Sequence, residues 1–207
     1  MSAVGPTVIG GNSGNNVFSV QIAPQAAVPS GAMIVVAIAT SAPDVTDVQV
    51  TDTKGNTYNV QVDSQPPGSS TSLFVFYVVN ALALATTDRI TVTMPQKFSI
   101  VAGALYYTGA QGSFTSSDVE WFSGTQCSYT VNVRAGDSLL ALMSVNGPQA
   151  DGFVQDPNYG ADLGAGVGGQ SYSVHGGAAV ASADGTFSYN PTLGRARDSV
   201  GFLLAFR

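Results

Sequence analysis

From Val17 onward, apolar and polar residues either alternate with a period of two or gather into short apolar blocks, and both patterns belong to strands. Phe18, Val20 and Ile22 alternate with polar neighbours, and GAMIVVAIAT (31–40) is a continuous apolar run suited to a strand buried on both faces. Val48 and Val50 lead into the turn DTKGN (52–56), and Tyr58, Val60 and Val62 leave it, with Asn59, Gln61 and Asp63 on the opposite face. This predicts a hairpin with one wet side. SSTSLFVFYVVNA (69–81), RITVTM (89–94) and SIVAGALYYTG (99–109) predict three further strands. VVNALALATTD (78–88) is rich in Ala and Leu, but it lacks a well-placed N-cap and sits between strong strand patterns, which favours a turn or crossover.

About a hundred residues further on the order recurs, a spacing too long for a solenoid repeat. Tyr129, Val131 and Val133 alternate; AGDSLLALMSV (135–145) echoes SGAMIVVAIAT, DGTFSYN (184–190) echoes TDRITVTM, and DSVGFLLAFR (198–207) echoes FSIVAGALYYTG. The expected fold is therefore all-β: an antiparallel two-sheet sandwich, jelly-roll-like, of about eight or more strands in two similar halves. Residues 1–16, crowded with Gly and Asn and without a period, read as an N-terminal arm, and residues 17–207 as a single β-sandwich domain.

Composition agrees with this reading and narrows function. The 207 residues are 44% hydrophobic and only 10% charged, which excludes a disordered chain. Glu120 is the sole glutamate, and Lys54 and Lys97 are the only lysines, so long charged helix formers are scarce. A net charge of -6 with seven scattered Lys and Arg excludes a phosphate-binding surface, so no nucleic-acid partner is expected. No apolar run approaches the roughly 18 residues of a membrane span, and MSAVGPTVIGGNSGNN has no signal-peptide pattern, so no membrane partner is expected either. Cys127 is the single cysteine and fits a buried bystander thiol in a reducing compartment.

The candidate chemistry is sparse. In VTDTKGNTYNV, Lys54 occupies a position where a calcium loop needs an oxygen ligand and no Glu closes the loop, so Asp52, Gly55 and Asn56 read as turn residues. Asp151, Asp156 and Asp162 lie in the Gly-rich stretch 146–170, and their spacing matches no cation cage; no metal or other cofactor is expected. Asp118 and Glu120 sit too close along one segment to flank a sugar ring as a glycosidase pair. GAGVGG (164–169) lacks the following Lys of a phosphate cradle, and His175 has neither a nucleophile elbow nor an evident carboxylate partner. No catalytic residue is expected, and the chain reads as a non-enzyme. Trp121, Tyr159 and Tyr172 are the ligand-binding candidates: each offers either a stacking platform for a sugar ring or ordinary core packing.

PSGAMIVVAIAT, VTDTKGNTYNV, LFVFYVVNALALATTDRITVTM, ALYYTGA, AGDSLLALMSV and GFLLAFR, taken together, resemble a β-sandwich module of tailed-bacteriophage virion proteins that also occurs in bacterial surface proteins. The likeness extends from about Val17 to the C-terminus and rests on turns and strands, so it identifies a scaffold before a task. That module usually carries an acidic residue in the turn where this chain has Ala32; the second half keeps it as Asp137. The resemblance implies a structural virion protein of the minor tail, tail-tip or capsid-decoration type, made in the host cytoplasm. Its partners would be other copies of itself, other virion proteins and a host cell-surface glycan. The alternative is a carbohydrate-binding module on the same sandwich.

Overall fold

The computed structural model describes residues 5–41, 45–110, 112, 114–160, 162 and 171–207; their regular structure is strand, apart from one 3-10 turn at Gln149–Asp151. The first half builds β1 (Thr7–Ile22), β2 (Met33–Thr40), β3 (Gln49–Asp52), β4 (Asn59–Ser64), β5 (Ser72–Val78) and β6 (Ile90–Tyr107). The second builds β7 (Phe114–Gln126), β8 (Tyr129–Val133), β9 (Ser138–Val145), β10 (Phe153–Val154), β11 (Ser173–Val180), β12 (Gly185–Tyr189) and β13 (Thr192–Phe206). One sheet runs β1-β6-β2-β5-β4, with β3 also on β6; the other runs β10-β13-β9-β11, with β7 also on β13; β8 and β12 pair separately. Pairing is antiparallel throughout, and the chain is the all-β sandwich in two similar halves that its pattern predicts.

The continuous apolar strands follow from the layering. β2 and β9 are buried at every position because each face of each strand meets a core. Met33, Val35 and Ala37 of β2 meet Leu140 and Leu142 of β9 and Phe202, Leu204 and Phe206 of β13 in a core between the two sheets. The alternate residues Ile34, Val36 and Ile38 face a core internal to the first half, with Ile90, Val92 and Ile100. Leu139, Ala141 and Met143 do the same in the second half, against Tyr129, Val131 and Tyr189.

The halves repeat one another down to hydrogen bonds. β2 pairs with β6 from Met33↔Tyr107 to Thr40↔Ile100, and β9 with β13 from Ser138↔Phe206 to Val145↔Ser199. Ahead of β2, Gly31 N donates to Ala81 O at 2.8 Å and Ala81 N to Ala32 O at 2.9 Å. Ahead of β9, Gly136 N donates to Ala181 O at 2.8 Å and Ala181 N to Asp137 O at 2.9 Å. Gly31 (φ 82) and Gly136 (φ 85) occupy the left-handed region, where a glycine carries no steric penalty. One echo is displaced. DGTFSYN forms β12, which pairs with β8, whereas ITVTM is the start of β6; the counterpart of β8 and β12 in the first half is the single bridge Val28↔Leu84.

Two expectations need correction. Residues 7–16, read as part of an arm, are the greater part of β1, in register with β6 from Thr7↔Tyr106 to Gly14↔Ile100. Their period is invisible because this outer strand leaves most of their side chains exposed. Ile9 is buried, and a Cβ on Gly10 would meet Ala23 O at 2.8 Å. The segments 89–94 and 99–109 are not two strands but one, β6, whose partner β1 shifts register near Val17 and so lets the pair bend without breaking. Between β5 and β6 the chain turns without forming a helix.

Candidate functional site

The turn at residues 52–56 is held by one carboxylate. Asp52 Oδ1 accepts from Lys54 N (2.9 Å) and Asn56 N (3.1 Å), and Oδ2 accepts from Asn56 Nδ2 (2.7 Å) and Tyr58 Oη (3.0 Å). Burial, then the charge and hydrogen bond of Asp52, raise the Tyr58 phenol far above its ordinary value and keep it a neutral donor. Gly55 supplies the positive φ of 79°. Thr53 Oγ1 donates to Asp88 at 2.7 Å and Lys54 Nζ lies 3.4 Å from the same carboxylate, so the polar side chains of residues 52–56 have intramolecular tasks.

The acids of the 146–170 stretch diverge onto three separate tasks. Asp151 pairs with Arg197, whose Nε lies at 2.7 Å, and with Arg195 at 3.7 Å. Asp156 accepts from Asn158 N (2.9 Å) through Oδ1 and from Asn190 N (2.7 Å) through Oδ2, clamping the Asn158–Tyr159 turn to the end of β12. Asp162 Oδ2 lies 2.8 Å from His175 Nδ1 and Oδ1 accepts from Gly176 N at 3.0 Å. GAGVGG lies outside the described residues.

His175 Nε2 in turn lies 3.1 Å from Ser173 Oγ, so Asp162, His175 and Ser173 form a hydrogen-bonded chain in the order of a serine hydrolase triad. Sequence reading missed the carboxylate partner, because Asp162 lies thirteen positions before His175 and no motif spacing links them. Ser173 is 1% exposed and His175 3%, and the imidazole stacks on Phe153 at 4.0 Å. A nucleophile must present its oxygen to a substrate carbonyl, and an interior serine two residues from its histidine on the same strand does not. The chain pins the loop end at Asp162 onto β11.

The three aromatic candidates occupy separate places. Tyr172 belongs to the inter-sheet core and donates to Ser70 O at 3.2 Å. Trp121 is 41% exposed on β7, opposite Val200, with Val119 exposed two residues before it. Tyr159 is 7% exposed and packs edge-on against Tyr189 at 4.7 Å. Burial, then the charge of Asp156, raise its pKa well above the ordinary value, and its hydroxyl has no partner among the described residues.

Tyr159 lines a concave surface of about 410 Å³ bounded by the end of β11, by β12 and by Asn158. Its walls carry Ser182, Thr186, Ser188 and Asn190, with Phe187, Ala179 and Val180 as the apolar part. A second depression of about 460 Å³ also has Asn190 in its wall, with Phe122, Gln126, Ser128 and Pro191. Cys127 lies in its floor, 4% exposed, 3.3 Å from Ser199 Oγ; burial pushes its thiol up, away from the reactive thiolate. Asp118 does not join Glu120 in a carboxylate pair: its Oδ2 accepts from Thr130 N at 2.8 Å, bracing β7 against β8. Among the described residues no cluster of His, Cys, Asp and Glu is built to hold a metal ion.

No protein-family model matches this chain, and no curated protein matches it. Among solved structures it is similar to a conserved protein of unknown function, PA5104, from Pseudomonas aeruginosa PAO1. That likeness has 9% identity and a TM-score of 0.30, over 91% of this chain and 78% of that one. It is also similar to HutD from Pseudomonas fluorescens SBW25, with 10% identity and a TM-score of 0.26, over 99% of this chain and 77% of that one. At such TM-scores the likenesses carry no argument about fold or function.

Proposed function

We propose that this chain is a non-enzymatic structural protein of a tailed-bacteriophage virion, of the minor tail, tail-tip or capsid-decoration type, which assembles with copies of itself and with other virion proteins. The observation that carries the non-enzymatic part is the engagement of its reactive groups. Asp52, Asp137, Asp151, Asp156 and Asp162 each hold backbone amides or Arg and His side chains, and the His175–Ser173 pair is interior. A fold in which these five acids brace turns and strand junctions reads as a scaffold. The virion setting is supported by the strand-and-turn resemblance from Val17 onward, and the assembly part by β7, which pairs with β13 alone and exposes Val119 and Trp121 on its flank.

Mass spectrometry of purified particles tests the setting: peptides of this chain should be present at a fixed multiple of the other tail or capsid proteins. Their absence from particles whose producing cells contain the protein would refute it. A fluorophosphonate probe tests the other part and should leave Ser173 unmodified in folded protein; stoichiometric labelling that is lost in His175→Ala would make the chain a hydrolase.

A further inference from the structure

We infer that the surface between the end of β11, β12 and the Asn158–Tyr159 turn is a binding groove for a neutral oligosaccharide. Size, charge and preorganisation support it together. The first lobe, about 410 Å³, is within the range of small-ligand sites, and Asn190 borders both it and the second, about 460 Å³. Two lobes on either side of one residue give room for more than a single sugar ring.

None of the described residues lining either lobe carries a charge, and the whole chain carries -6. Anionic ligands therefore meet no cation in the groove and a repulsive field around it. What the walls offer is hydroxyls and amides beside an apolar strip of Phe187, Ala179 and Val180. A sugar ring has that same division, with C–H faces for an aromatic surface and equatorial hydroxyls for Ser, Thr and Asn.

The polar groups are also fixed before a ligand arrives. Asp156 holds Asn158 and Asn190 by their backbone amides, and Ser128 Oγ donates to Asn190 Oδ1 at 2.8 Å, leaving Asn190 Nδ2 as an unused donor among the described residues. Thr186 Oγ1 donates to Asn132 Oδ1 at 2.8 Å, which fixes its rotamer and keeps the oxygen lone pairs available. Groups held this way lose little freedom on binding. This inference rests on the groove alone and holds whether or not the protein resides in a particle.

The test is a titration of the ¹⁵N-labelled full-length chain with neutral hexose oligosaccharides of one to six units and with sulfated oligosaccharides, read by amide chemical shifts. Neutral oligomers should shift the amides of residues 158–159 and 179–188, longer ones also those of 126–128, 190 and 192, with the monosaccharide at least about tenfold weaker. Phe187→Ala should weaken binding by about tenfold or more. Because Phe187 also packs against the core, Asn158→Ala is the companion variant and should weaken binding several-fold with an unchanged melting curve. The inference is overturned if no neutral oligosaccharide shifts these amides, if sulfated ligands bind more tightly, or if both variants bind as the parent does. It is also overturned if the same amides shift with protein concentration alone, which would make the groove an interface between copies.

Discussion

Asp137 and Ala32 occupy equivalent turns in the two halves, and exchanging their chemistry tests the reasoning about the repeat. Asp137 is buried, with Oδ2 accepting from Arg134 N at 2.9 Å and Oδ1 from Arg207 Nε at 2.6 Å. At the position of Arg134 the first half has Pro29, which has no N–H to donate, so a carboxylate at residue 32 would find no such donor. Losing a hydrogen bond that a backbone amide donates to a buried carboxylate costs roughly 1.5–3 kcal/mol. The Arg207 partner is 46% exposed and adds under about 1 kcal/mol after solvent screening. Asp137→Ala should therefore lose about 2–4 kcal/mol in urea unfolding followed by far-UV circular dichroism. Ala32→Asp, which buries a carboxylate at a 1% exposed site, should lose about 3 kcal/mol or more. In a Pro29→Ala background, which restores the amide, the same substitution should be milder by at least about 1 kcal/mol. A neutral Ala32→Asp, or a loss identical in both backgrounds, would refute the explanation of why this turn lacks its acid.

Three further outcomes follow from the same geometry. Val36→Asp and Leu203→Asp, each at a site with 0% exposure, should abolish the cooperative melting transition; a parent-like curve for either would place that residue outside the core. Asp52→Ala should lower stability by about 1–2 kcal/mol through its backbone bonds to Lys54 and Asn56, with no change in midpoint on adding Ca²⁺ to either form; a calcium-dependent midpoint confined to the parent would make the turn a cation site. The hydrogen bond from Ser70 Oγ (2.6 Å) holds the carboxyl of Asp198 below its ordinary value of 3.8. A depressed carboxylate stabilises the fold above the unfolded pKa and ceases to do so as pH falls through the folded one. The stability gap between parent and Ser70→Ala should thus be full at pH 5 and shrink below pH 4, and a gap that stays constant to pH 2 would exclude Asp198 as its source.

The fold was legible where burial is two-sided or strictly alternating. β2, β5 and β9 read as apolar blocks because cores lie on both their faces, and β8 reads as alternation because one face is wet. β7 escaped notice for the converse reason: FTSSDVEWFSGTQ is mostly Ser, Thr, Gly and acids, which resemble a loop, and its apolar Val119 and Trp121 are exposed rather than part of a core pattern. β11 was obscured by Gly176 and Gly177, which weaken a strand pattern. A Cβ on Gly176 would lie 2.4 Å from Ala141 O, and one on Gly177 would lie 2.4 Å from Gln155 Nε2. Those glycines are required by the closeness of β9 and of the Gln155 side chain, neither of which local sequence reveals.

The candidate groove was illegible for a deeper reason, which lies in the repeat. Sequence echo aligns DGTFSYN with the first part of β6, so Thr186, Phe187 and Ser188 read as framework. In the folded chain they lie on β12, paired with β8, where the first half has only the bridge between Val28 and Leu84. The groove therefore sits where the second half departs from the first. Its other wall is the Asn158–Tyr159 turn, brought there by Asp156 and by Gln155, whose Oε1 accepts from Tyr189 Oη at 2.7 Å and whose Nε2 donates to Gly176 O at 2.8 Å. Residue types alone mark Asp156 and Gln155 as ordinary loop residues; only the strand ends they grip make them the posts of a concave surface. In a duplicated scaffold the shared strands account for stability, and the elements present in one half only are where a binding task has room to arise.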